Sequence, residues 1–78
     1  MKSAIQQLRF ELTDDYIELN NLLKVMGIVD SGGAGKMLVA QGNVKVDGQQ
    51  ELRKTCKIRA NQMVSLGDVR IKVVAKSS

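Results

Sequence analysis

Two stretches of the chain carry residue types that could hold a ligand. Ser31-Gly32-Gly33-Ala34-Gly35-Lys36 sets glycines ahead of a lysine. Glycines let an anion approach the free N–H groups of a helix start, and Lys36 would add charge close to Gly32 and Gly33. The stretch is a poor nucleotide-hydrolysing loop. That pattern needs Gly where Asp30 stands and Ser or Thr where Met37 stands, and without the hydroxyl nothing reaches Mg²⁺. Two readings stay open, an anion site built by Ser31, Gly32, Gly33 and Lys36 or a purely structural glycine turn. The second stretch, Arg53-Lys54-Thr55-Cys56-Lys57-Ile58-Arg59, holds four cations. It forms an electrostatic footprint if it folds onto one face and a solvated basic loop if it does not. Arg53 and Arg59 suit bidentate phosphate contacts better than lysine does.

Catalytic chemistry has little to work with. The chain has no His and one Cys, which excludes imidazole acid/base catalysis, a two-cysteine metal site and an internal disulfide. Cys56 lacks a His to deprotonate it, although Lys54 and Lys57 flank it, and a packed or partly exposed strand cysteine is the expectation. Asp14, Asp15 and Glu18 are accounted for by a helix start, where carboxylates oppose the dipole. No catalytic residue, metal or cofactor is expected.

These groups must be positioned by a small chain. Its 78 residues suit one module, 1–78, and carry a net charge of +4. The charge is regional: four basic residues oppose five acidic ones up to Gly42, and eight oppose three beyond it. A basic half suggests an anionic partner. No window approaches the roughly 18 apolar residues of a membrane span, and a lone Cys fits a reducing compartment, so the expected location is cytoplasmic.

Asp15 and Glu18 resemble a capping box ahead of Leu19, Leu22, Leu23 and Met26, which predicts a helix over 16–26 stopped by Gly27. Asp30-Ser31 starts a second helix, with Ala34, Met37, Leu38 and Gln41 on one side and Gly42 as its end. Val44 and Val46 alternate with polar residues ahead of the Asp47-Gly48 turn pair. Residues 63–66 and 69–73 form a second hairpin, whose last strand alternates apolar residues with Arg70 and Lys72, the latter two expected on a solvated face. Leu8 to Leu12 alternates as a strand would, although Ala4-Ile5-Leu8 also fits a short helix. The fold class is therefore α+β, with two short helices packed on a small, mostly antiparallel sheet of about four to five strands. The core spans about 16–75, and 1–12 are a candidate extra strand.

From Glu18 to about Val74 the chain resembles the S-four-type RNA-binding domain, with its αL motif. The resemblance rests on Leu19, Leu23 and Gly27 in the first helix, Ala34, Lys36 and Leu38 in the second, and Gly42-x-Val44-x-Val46-x-Gly48 after it. The family commonly has Arg where this chain has Glu18, Gly32 and Met37. A stand-alone branch, the YbcJ-like proteins, looks closer: it shares Tyr16-Ile17-Glu18-Leu19 in outline, Leu22-Leu23-Lys24, Ser31-Gly32, Lys36, Val44-Lys45-Val46-Asp47-Gly48 and Glu51-x-Arg53-Lys54-x-Cys56-Lys57-Ile58. The resemblance implies an RNA-binding surface in which Lys36, Lys45, Arg53, Lys54 and Lys57 replace the missing arginines around Ser31, Gly32, Gly33, Asp47 and Gly48, with Lys24 a lesser candidate. The implied partner is ribosomal RNA or tRNA, bound by a monomer acting without catalysis. The alternative is docking on an acidic or ribosome-associated protein partner. Phe10 and Tyr16 are the only aromatic residues and lie outside the basic stretch, so structured RNA is expected rather than stacked single strands.

Overall fold

The computed structural model describes residues 5–76. Strand β1 (Gln6–Leu12) is followed by β2 (Ile17–Glu18), helix α1 (Leu19–Val25), helix α2 (Gly32–Ala40), β3 (Lys45–Val46), β4 (Gln49–Gln50), β5 (Lys57–Ile58), β6 (Met63–Leu66) and β7 (Val69–Ala75). Five strands form one sheet in the order β1-β7-β6-β3-β4, and β2 and β5 form a separate two-stranded ribbon. The pairings in the large sheet are antiparallel except β1 with β7, which is parallel and sets Gln6 opposite Val69. The α+β class and the extra N-terminal strand match the sequence reading. Residues 1–4, which include Ala4 of the competing Ala4-Ile5-Leu8 helix, lie outside the described residues.

Period-two alternation decides which face of the sheet is covered. Along β7 Ile71 and Val73 are fully buried while Lys72 is exposed. Val64 faces Ile71 across β6, and Leu8 faces it across β1. These side chains meet Leu19, Leu22 and Leu23 of α1 and Val39 of α2 in one core with Leu12, Val44 and Ile58. Arg70 is less solvated than expected. Its guanidinium donates to the carbonyls of Gly67 (2.8 Å) and Val69 (3.1 Å), so it braces the β6–β7 turn.

The first helix starts later than the periodicity predicts. Ile17 and Glu18 are extended and pair with Ile58 and Lys57. Glu18 occupies the cap position without a side-chain capping bond, so the Asp15–Glu18 capping box does not form. The reason is that backbone carbonyls already fill that place. The N–H groups of Leu19 and Asn20 donate to the carbonyls of Cys56 (2.9 Å) and Lys54 (3.0 Å), which satisfies helix-start donors that a capping side chain would otherwise serve. The α1 stop follows the sequence, with Gly27 at φ 76°.

Helix α2 starts as predicted: the Ser31 hydroxyl accepts from the Ala34 N–H at 3.2 Å. Its inward face does not follow the prediction. Ala34 and Gln41 are exposed and Met37 is 63% exposed, whereas Gly35 and Val39 are buried and Leu38 is half-buried. Close approach of the two helices turns α2 to this face. A Cβ at Gly35 would lie 2.9 Å from the Asn20 carbonyl oxygen, inside contact distance of a backbone atom that cannot rotate away. Hydrophobicity favours Met37, but the backbone contact admits only glycine, and it sets the rotation.

Gly35→Ala therefore forces α1 and α2 apart. Overpacking costs about 1–3 kcal/mol against about 1 kcal/mol gained in helix propensity, so the expected net loss is up to about 2 kcal/mol. Thermal unfolding should show a drop of roughly 4–8 °C per kcal/mol. An unchanged or raised midpoint would show that this contact does not fix the helix pair.

Candidate nucleic-acid interface

The β2–β5 ribbon brings together residues far apart in the chain. Ile17 and Ile58 are partners and turn inward, Ile58 being fully buried. Alternation then sends Tyr16 and Glu18 to the outer side with Lys57 and Arg59. Lys57 Nζ lies 5.1 Å from the centroid of the Tyr16 ring, and the Arg59 guanidinium carbon lies 5.6 Å from it. The expectation that both aromatics lie outside the basic region fails for Tyr16, which is distant in sequence and adjacent in space. No local pattern announces this neighbour. The pairing of Ile17 with Ile58 creates it.

The turn before β5 is held by Glu51. Its carboxylate accepts from the Arg53 backbone N–H (3.0 Å) and meets the guanidinium in a fork, Nε to Oε2 at 2.9 Å and Nη2 to Oε1 at 3.3 Å. The Arg53 side-chain bond, followed by its backbone bond, lowers the Glu51 carboxyl from 4.5 to about 2. Part of the charge of Arg53 is thus answered within the turn, although its side chain is 77% exposed and keeps a free edge. Cys56 is half-buried and sits just before β5. Burial, then the nearby Glu51 carboxylate, pushes its thiol up, which opposes the thiolate a nucleophile needs. Lys54 and Lys57 are exposed. The carbonyl bonds of Lys54 and Cys56 to α1 anchor the segment that carries them.

The start of α2 opens to solvent. Ala34 and Gly35 donate to Ser31, and among the described residues the N–H groups of Gly32 and Gly33 have no protein partner. A Cβ at Gly32 would meet nothing within 4 Å. Gly32 borders a groove whose lining includes Asp14, Asp15, Tyr16, Glu18, Asn20 and Lys24. Asn20 is buried, and its Oδ1 has no hydrogen-bond partner among the described residues. An unpartnered buried amide is costly in an otherwise paired structure. Lys36 is exposed on α2, one turn beyond Gly32.

The structure distributes the sequence-derived residues over more than one surface. Ser31, Gly32, Gly33 and Lys36 share the α2 start, Lys24 borders its groove, and Arg53, Lys54 and Lys57 share the anchored turn and ribbon. Lys45 instead sits on the sheet opposite Ser65, in the row that continues to Arg70. Asp47 and Gly48 make a tight hairpin turn with φ 53° and 84°, the two positive values a type I′ turn requires. The Asp47 carboxylate is taken up by the Met63 N–H at 2.9 Å and the Gln62 amide at 3.4 Å. These two residues position β3 and β4. Among the described residues no cluster of three metal-ligating side chains occurs.

The family model of the S4 domain matches residues 10–74, the span that holds the helix pair and the basic turn anchored to α1. The chain belongs to that family. It is 48% identical over 60 residues to YbcJ of Escherichia coli, whose name proposes RNA binding, a match spanning 77% of this chain and 86% of that protein. An uncharacterised YbcJ of Shigella flexneri matches to the same extent. The solution structure of E. coli YbcJ, described as revealing an αL motif involved in RNA binding, superposes with a TM-score of 0.66 at 40% identity, covering 96% of this chain and 94% of that one.

The Glu51–Arg53 fork has a pH signature. The folded carboxyl sits near 2 and the ordinary value is 4.5, so the folded state holds this proton less tightly than the unfolded state. The stability contributed by the fork is complete above about pH 4.5 and is lost as pH falls towards 2. Solvent exposure of Arg53 keeps it small. Denaturant titrations of the protein and of Glu51→Gln should differ most at neutral pH and converge on acidification. A gap that is constant with pH would show that the fork does not stabilise the fold.

Proposed function

We propose that the protein is a cytoplasmic RNA-binding module that recognises structured ribosomal RNA or tRNA by its phosphates and acts as a monomer without catalysis. Lys54 and Lys57, with the free edge of Arg53, contact the backbone from the anchored turn. Lys36 and the open N–H groups of Gly32 and Gly33 receive a further phosphate at the start of α2, where the helix dipole favours an anion. Lys24 borders the same region. The observation that carries this reading is the pair of bonds from Leu19 and Asn20 to the Cys56 and Lys54 carbonyls, because they fix the basic turn on the helix pair whose second member opens its start to solvent. Names and descriptions of the YbcJ relatives support the same class of ligand.

Lys45 lies on the sheet and extends the surface only for an RNA that wraps round the hairpin. Asp47 and Gly48 act through the turn they build. Arg53 contributes less than its residue type suggests, since Glu51 already holds two of its donors.

Binding through about five phosphates should give an affinity that falls with salt, with a log–log slope of roughly −4 at about 0.9 per contact. Titration against ribosomal RNA, tRNA and matched duplex DNA should show an RNA preference. The Arg53→Ala, Lys54→Ala, Lys57→Ala triple variant should lose it, and Lys57→Ala alone should weaken binding more than Lys72→Ala. Salt-independent binding, or none above that of an unrelated basic protein, would overturn the proposal and point to a protein partner.

A further inference from the structure

We propose that Tyr16 is a stacking platform for a single unpaired nucleobase, with Lys57 and Arg59 holding the phosphates of that nucleotide. This inference rests on the RNA-binding reading and adds to it a feature of the RNA, namely a bulged or looped-out base beside the duplex. Three observations carry it.

Tyr16 is exposed to 38% although its neighbours Ile17 and Ile58 turn into the core. An aromatic side chain kept at the surface on a rigid ribbon offers a face that every base can stack on. The two cations nearest the ring, at 5.1 and 5.6 Å, have no carboxylate partner among the described residues, where the ion pairs are Arg9–Glu11 and Arg53–Glu51. Their hydrogen-bonding capacity is therefore available to phosphate oxygens, and it is their charged ends that lie over the ring.

Tyr16 also lines the groove, and there the local charge reverses: Asp14, Asp15 and Glu18 line it too, together with Lys24 and Lys76. Three carboxylates repel a phosphate, but they accept hydrogen bonds from the N–H groups of a neutral base. The nucleotide is oriented by this contrast: phosphates go to Lys57 and Arg59, and the base goes over Tyr16 with its edge towards the groove.

The test uses the full chain and three RNA stems that differ at one position: fully paired, carrying a single bulged nucleotide, and carrying an abasic bulge that keeps the phosphates and removes the base. Tyr16 is the sole tyrosine and the chain has no tryptophan, so intrinsic emission reports on this ring alone. The expected result is a preference of about 5- to 100-fold for the base-bearing bulge over the other two stems, the range a stacked base supplies. Quenched emission should accompany that stem only. Tyr16→Ala should abolish the preference and Tyr16→Phe should keep it. The abasic stem and the Phe variant serve as tests even if Tyr16→Ala fails to fold. Equal, salt-sensitive binding to all three stems without quenching would overturn the stacking platform and leave the RNA-binding reading in place. Absence of salt-sensitive binding to any stem would overturn both.

Discussion

Two backbone hydrogen bonds tie the start of α1 to the basic turn. Leu19 and Asn20 open the first helix by donating to the carbonyls of Cys56 and Lys54, so the helix that puts Leu19, Leu22 and Leu23 into the core also anchors the basic turn. Because the bonds are made by backbone, the side chains of Lys54 and Lys57 stay free. The anchor also explains why β2 is so short: two residues pair with β5, and then the chain coils into α1. On the other side of α1, Gly35 lets α2 approach Asn20 to within contact of its carbonyl oxygen. Asn20 is thus engaged through its N–H by the basic turn and through its carbonyl by α2, and it is the junction at which the three segments are fixed relative to one another.

Local signals were legible in the sequence where the chemistry is local. Ser31 caps α2, Gly27 and Gly42 end the helices in the left-handed region, and Asp47-Gly48 folds into the predicted tight turn. Leu19, Leu22 and Leu23 are fully buried as their spacing requires. The failures are all long-range. The Asp15–Glu18 capping box loses to carbonyls arriving from residues 54 and 56, which no window around residue 18 contains. The inward face of α2 is set by contact with another helix backbone, so Gly35 displaces the more hydrophobic Met37. Tyr16 meets Lys57 and Arg59 through strand pairing across some forty intervening residues. The alternation of β1 identified a strand but carried no information about its parallel partner at the far end of the chain.

Formal charge is a poor guide to which cations can act. Arg53 answers Glu51, Arg70 braces a turn through two carbonyls, and Arg9 lies 3.6 Å from Glu11. These arginines already have partners within the protein, whereas the exposed lysines of the turn, the ribbon and α2 have no carboxylate partner among the described residues. Arg59 is the exception, since its guanidinium neighbours a ring instead of a carboxylate. The division follows from geometry: a planar fork suits carbonyls and carboxylates within the protein, whereas an ammonium on a long stem adapts to a ligand whose position varies.

The parallel pairing of β1 with β7 also bears on how the molecule assembles. Gln6 must find Val69, and each later pair in the register spans the same separation, so almost the whole chain lies between partners. Closing so large a loop carries an entropic penalty that no single pair offsets, whereas the β6–β7 hairpin closes across a two-residue turn. The hairpin has a short loop to close and can form early, and the edge strand gains a template only once β7 is in place. The order of events on the folding pathway thus runs against the order of synthesis. β1 is synthesised before β7 and waits for it, and until then Leu8, Phe10 and Leu12 have no sheet to cover them.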